Sequence, residues 1–191
     1  MNALSPERPM RADARRNYQR IVECAREVFA EYGPDAPADD IARRASVGTG
    51  TLYRHFPNRD ALVEAVYRSS IEALAELAHE LADTHTPLAA LEQWFRAQVH
   101  YVMDKRSVAA TLKAAMDHGS PTFTLCTKLI VDAAAAVLVP AQRAGLVRPE
   151  LEPRDLVRLG HGLGVACDTA PAAAERLMTV ALAGLRTPPE R

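Results

Sequence analysis

Apolar residues in this chain recur at spacings of three and four through nearly every long segment, the period of helices with one buried face. Residues 15–32 place Ile21, Ala25, Val28 and Phe29 on one stripe, which stops at Gly33-Pro34. A second, short pattern starts at Pro37, a residue favoured at the first helical position, and holds Ile41, Ala42 and Ala45 inward. Ser46-Val47-Gly48 reads as a turn, residues 50–56 as a very short third helix, and Pro57 as its end. Asn58 then caps a long fourth helix over residues 59–82, with Leu62, Val66, Leu74 and Leu81 inward.

Thr84-His85-Thr86-Pro87 breaks the pattern, and residues 88–103 resume it with Leu91, Phe95 and Val102 inward. A weaker helix is expected over 107–117, followed by a break at Gly119-Ser120-Pro121. Residues 123–144 form a long apolar helix carrying Cys126, Ile130, Val137 and Leu138, with Pro140 as a point of kinking. Two final helices, 154–168 and 171–185, are rich in Ala and Gly. No strand pattern emerges, so the expected fold class is all-α. The expected division is a flexible basic arm over 1–13, a domain of short helices over 14–74 and a second helical domain over 75–191.

Charge changes the picture at one place. The stretch RRASVGTGTLYRHFPNR, residues 43–59, holds four arginines, one histidine and no carboxylate in a chain of net charge −1. Its third-helix face carries Thr49, Thr51, Tyr53, Arg54 and His55, hydroxyl and cationic groups of the kind that meet phosphates and base edges. Helix, tight turn and short helix together make a candidate helix-turn-helix reader of DNA. Elsewhere composition mostly excludes. Cys24, Cys126 and Cys167 are odd in number and widely spaced, against a disulfide framework or a zinc cluster. No uninterrupted run of about 18 apolar residues suggests a membrane span, and no apolar leader core opens the chain, so a reducing cytoplasm is the expected compartment. Neither a metal site nor any other cofactor is expected, since the five histidines beyond His55 share no spacing of three or four. Paired carboxylates and nucleophile–base motifs are also wanting, which argues against an enzyme.

The segments IVECAREVFAEYG, DIARRASV, GTLYRHF and NRDALVEAV resemble the N-terminal domain of the TetR-type family of bacterial transcriptional regulators. The resemblance covers about the first seventy residues and implies a three-helix fold whose third helix enters the major groove. It implies that Tyr53 and His55 bind the DNA backbone. Arg59 stands where a lysine of the family holds a phosphate with the start of helix four. Thr49, Gly50, Thr51 and Arg54 fall where base edges are met. One departure stands out: Ala36-Pro37 replaces the hydroxyl residue that usually opens helix two. Asp39 beside it would repel phosphate if it faced DNA. For Arg43 and Arg44, a phosphate contact, a solvated surface and a salt bridge to Asp39 or Asp40 are all open.

The remaining chain fits the resemblance in architecture only, implying a divergent helical domain that dimerises and often holds a ligand. Candidate lining residues for a small apolar or amphipathic ligand are Trp94, Phe95, His100, Tyr101, Met116, His118 and Phe123. Ordinary core is the competing reading for each of the aromatics. Gly160, Gly162 and Gly164 lack the preceding strand of a nucleotide loop and suit close helix approach instead. With Ala181 and Gly184 they point to a homodimer interface through the last two helices. The expected function is a DNA-binding regulator, a repressor released by its ligand from a near-palindromic operator. The alternative is a helical small-molecule-binding protein that no longer reads DNA.

Overall fold

The structure, a computed structural model, describes residues 7–33, 35–103 and 121–188. The described residues form eight α-helices: α1 (Glu7–Tyr32), α2 (Ala38–Arg44), α3 (Thr49–His55), α4 (Arg59–Thr84), α5 (Pro87–Met103), α6 (Pro121–Arg143), α7 (Pro153–Cys167) and α8 (Ala174–Leu185). The helix expected over 107–117, with Met116 and His118, lies outside the described residues. No strand occurs among the described residues. A single antiparallel bridge, Val147 to Arg186, ties the end of α8 to the loop after α6. The all-α expectation holds.

Helix ends follow local chemistry. α1 stops where Gly33 takes the left-handed conformation, φ 81°, which costs glycine nothing. α2 begins one residue later than expected, with Pro37 outside the helix and no side chain capping it. Asp39 and Asp40 in its first turn and Arg43 and Arg44 in its last complement the helix dipole. The turn into α3 bends at Ser46, φ 52°, a strained value for a residue with a Cβ. Asn58 caps α4 as expected, its side chain accepting from the Ala61 N–H at 2.8 Å. α1 begins at Glu7, well before the expected position, so residues 7–13 are helical rather than a flexible arm.

Two apolar clusters meet along α4. The first joins Ile21, Val28 and Phe29 of α1 to Ile41 of α2, Leu52 of α3, Phe56 and, on α4, Leu62 and Val66. The second gathers Ala75, Ala78 and Leu81 of α4 with Trp94 and Phe95 of α5, Val137 and Leu138 of α6, Leu156 of α7 and Met178 of α8. An 18-residue window of α6 has a mean hydropathy of 1.8, long and apolar enough by composition to cross a membrane. The expectation of no membrane span rested on uninterrupted apolar runs, and α6 is not one. Counting uninterrupted apolar residues passes over it because Lys128 and Asp132 fall inside. A core helix meets the same criterion, and α6 packs on α4, α5 and α7.

Candidate nucleic-acid interface and ligand cavity

α3 is seven residues long, too short to persist alone in water. It is held by Leu52 and Phe56, both almost wholly buried, which leaves the rest of its surface free. Gly50, Tyr53 and Arg54 are exposed there, with Tyr53 at 50%. Thr49, Thr51 and His55 are half-buried. The Thr49 hydroxyl donates to Asp39 on α2 at 2.9 Å, so Asp39 orients a residue of the reading helix. His55 lies edge-on to Tyr18 with ring centroids 6.2 Å apart, and Tyr18 stacks on Phe56 at 5.0 Å.

Arg59 is more engaged than the sequence implies. Its Nη2 donates to the Ala36 carbonyl at 2.7 Å, and its guanidinium lies 5.9 Å from the Phe29 ring centre. The start of α4 is thereby clamped to the segment ahead of α2, where the usual hydroxyl is missing. The arginine pair on α2 takes the salt-bridge alternative. Arg43 pairs with Asp40 at 2.7 Å, whereas Arg44 makes two bonds, 2.7 and 2.5 Å, to Glu31 on α1. The Arg44 hydrogen bond holds the Glu31 carboxyl below the usual range.

A cavity of about 290 Å³ lies between the four helices of the body. α4 contributes Tyr67, Ile71 and Leu74, and α5 contributes Gln98, Tyr101 and Val102. α6 supplies Phe123, Thr127, Ile130 and Val131, and α7 supplies Arg154, Val157, Arg158 and His161. Of the expected lining residues, Tyr101 and Phe123 are on the wall. Trp94 and Phe95 are not: both are fully buried in the core, and the Trp94 indole N–H donates to the Leu74 carbonyl at 2.9 Å. His100 is exposed on the other side of α5, its Nε2 3.7 Å from Glu175 of α8. A helix packed by neighbours on several faces buries its largest rings most deeply, and the wall falls on the adjoining stripe at 98, 101 and 102.

Burial raises the Tyr101 phenol far above its ordinary range, the nearby Tyr67 and Cys126 reinforcing this and a hydrogen bond with Ser70 opposing it. Burial likewise pushes Tyr67 up to about 12. Gln98, almost wholly buried, donates through Nε2 to the Val157 carbonyl at 3.0 Å, while its buried Oε1 has no hydrogen-bond partner among the described residues.

The glycines of α7 correct another expectation. A Cβ on Gly160 would lie 2.5 Å from Gln98 Oε1, and one on Gly164 2.5 Å from Val102 Cβ and 3.0 Å from the Val99 carbonyl oxygen. Their close approach is therefore to α5 of the same chain, not to a second copy. Apolar surface remains outside them: Leu159 and Val165 on α7, and Leu177 and Val180 on α8, are exposed, Val180 at 69%. Among the described residues, no group of three or more His, Cys, Asp or Glu is arranged to hold a metal ion.

A three-helix head with a short exposed third helix, mounted on a helical body with an internal cavity, defines a helix-turn-helix protein. Comparison with known sequences agrees from both ends. The profile of bacterial regulatory proteins of the tetR family matches residues 21–66, and that of the SbtR-like transcriptional regulator C-terminal domain matches 86–187. The chain belongs to the TetR family of bacterial transcriptional regulators. TetR transcriptional regulator SCO0520 from Streptomyces coelicolor is 35% identical, with a TM-score of 0.76 over 88% of this chain and 98% of that one. A TetR regulatory protein from Mycobacterium vanbaalenii is 32% identical, with a TM-score of 0.77 over 94% of this chain and all of that one. The helix-turn-helix-type regulator TtgW of Pseudomonas putida is 37% identical over 94 residues, which are 49% of this chain and 65% of that protein. SrpR, also of Pseudomonas putida, is 36% identical over 94 residues, 41% of its length. The chain thus spans less than two thirds of the curated relatives it matches.

Proposed function

We propose that this protein binds a near-palindromic operator as a homodimer, represses from it in the bacterial cytoplasm, and lets go when a small ligand fills the cavity. It performs no catalysis in this reading. The observation that carries it is the position of α4. Leu62 and Val66 of that helix belong to the head core, while Tyr67, next to Val66, and Ile71 and Leu74, one to two turns on, form the cavity wall. A ligand touching that wall acts on the helix that bears the reading head.

Roles within the head follow the family resemblance, and the exposure of Gly50, Tyr53 and Arg54 supports them. Tyr53 and His55 take backbone phosphates, while Gly50, Thr51 and Arg54 meet base edges, with Thr49 presented by Asp39. Arg59 clamps the head through Ala36 and lies exposed at the start of α4, the place from which the resemblance has it hold a phosphate. Asp39 already accepts from Thr49, which supports a positioning role in place of bare repulsion. The exposed apolar residues of α7 and α8 support a dimer through that face, since such a patch on a monomer calls for a partner. Two heads then read inverted half-sites about one turn, roughly 34–36 Å, apart. Ligand and DNA are coupled only through the ligand's differential affinity for the two states, typically about 1–3 kcal/mol.

Selecting genomic duplex fragments on the purified protein, then footprinting them across a salt series, tests this. A symmetric footprint whose affinity falls steeply with salt is expected. A protein that retains cavity ligands but selects no duplex would establish the binding protein that reads no DNA.

A further inference from the structure

We infer that the cavity takes an amphipathic organic acid, its apolar body inside and its acidic group at the rim against Arg154, Arg158 and His161. This rests on reading the cavity as the effector site, and it specifies the chemistry of the occupant.

The three cationic or titratable groups come from one helix at spacings of four and three, so they share one face of α7. All three are solvent-exposed while lining the cavity, which puts them at its mouth. No carboxylate lines the cavity among the described residues. Arg154 has no ion-pair partner among them, and Arg158 reaches only the exposed Asp155, at 3.4 Å. Arg154 also borders an adjoining groove with Thr124 and Lys128, where Lys128 pairs with Asp132. That groove leaves room for an acidic head outside the cavity proper.

The inner wall fixes the orientation. Ile71, Leu74, Val102 and Ile130 offer only hydrocarbon there. The buried polar groups are the Gln98 acceptor and the Tyr101 phenol, with no cation beside them among the described lining residues. An anionic head placed inside would lose its hydration against an acceptor and gain no countercharge. At the rim it meets guanidinium forks suited to carboxylate or phosphate oxygens. Size sets the body: at about 30 Å³ per water-sized group, the cavity holds roughly ten non-hydrogen atoms.

Decanoate, decyl phosphate, decanol and decylamine present one body with four heads, and each is titrated into the full-length protein. The chain has a single tryptophan, Trp94, whose indole bonds the carbonyl of the wall residue Leu74, so its fluorescence reports occupancy; calorimetry provides a second reading. At least one acid should bind about tenfold or more tighter than decanol, the effect of one charge-assisted contact, with decylamine weakest. The order of the two acids tells a carboxylate from a phosphate head. Arg154→Gln/Arg158→Gln, or Arg154→Gln alone, should lose most of that advantage and leave decanol affinity unchanged. Decanol or decylamine binding as tightly as both acids, an advantage that survives both substitutions, or no binding by any probe would overturn the inference. Operator affinity separates the two readings. An acid that binds with the expected preference but leaves operator affinity unchanged upholds the acid site and removes its effector role. Release by decanol without preference for an acid does the reverse.

Discussion

Replacing Gly164 by Ala should destabilise the protein, while the same change two residues earlier, at Gly162, should stabilise it. Both positions lie inside α7, where exchanging Gly for Ala by itself gains roughly 0.5–1 kcal/mol through reduced backbone freedom in the unfolded chain. At Gly162 the new methyl meets nothing within 4 Å, so that gain is realised in full. At Gly164 it arrives 2.5 Å from Val102 Cβ and 3.0 Å from a backbone oxygen of α5. Neither neighbour is the loose end of a flexible side chain: valine is stiff at χ1, and the carbonyl belongs to a helix. Forcing a methyl into such a contact costs about 1–3 kcal/mol. Offset by the backbone gain, the net loss is about 1.3 kcal/mol at the middle of these ranges, or roughly 3–5 °C in Tm for a chain of this size. Thermal unfolding followed by circular dichroism, with sedimentation on the same samples, reads both quantities. Gly164→Ala matching or exceeding wild-type stability would refute the packing argument. A variant that stayed stable but dissociated to monomers would return Gly164 to the dimer face.

Asn58→Ala removes the cap on α4 and should cost about 1 kcal/mol in chemical denaturation; no change would mean the Ala61 N–H is satisfied by water. Tyr67 is held neutral to about pH 12 in the folded protein but ionises near 10 when unfolded, so stability should fall as pH rises through that interval and be unaffected below it. Tyr67→Phe should flatten this decline in Tm, and an unchanged slope would remove Tyr67 from the account. Val180→Glu, on an exposed site, should yield well-folded monomers that sediment as such and no longer hold the operator; a dimer that persists would place the interface elsewhere. Tyr53→Phe and His55→Ala should weaken binding to every duplex alike. Arg54→Ala should instead change the selected motif, by about 1–3 kcal/mol at the lost base contact.

Helical periodicity carried most of the fold because each helix buries one stripe, and Ile21, Val28, Leu62, Leu91 and Leu138 are all where their spacing puts them. The first turns of α1 escaped because residues 7–14 have no apolar stripe. Further along the exposed part of that helix, local pairs such as Arg16 with Asp13 and Arg20 with Asn17 link neighbouring turns. The face of α3 was legible from its residue types, whereas the Arg59 clamp on Ala36 and the Thr49–Asp39 bond depend on how α2 sits, which spacing does not encode. In the body, ring size pointed to Trp94 and Phe95, but size also draws a residue into the core. Arg154, Arg158 and His161 were visible at helical spacing, yet comparing histidines only with one another left His161 unconnected to the arginines beside it. The small residues of α7 announced a close approach without saying whether the visitor was α5 or a second copy.

Ser70 occupies a revealing place on α4. The head core claims that helix up to Val66, and the body core claims it from Ala75 onward. Of the eight residues between, Tyr67 still packs against the head core, while Ile71 and Leu74 of the cavity wall belong to neither cluster. Within that stretch the buried Ser70 hydroxyl donates to the Val66 carbonyl at 2.9 Å, a back-bond that favours bending of a helix. In the proposed release, a ligand in the cavity would act at this point of the rod instead of at its far end. From Ile71 to Arg59 the rod is roughly 18 Å long at about 1.5 Å per residue, so a bend of about 5° there swings the head by roughly 1.6 Å. In the proposed dimer each head would swing from its own joint, so small flexures would add across the pair and lose the spacing an operator demands without disturbing either core.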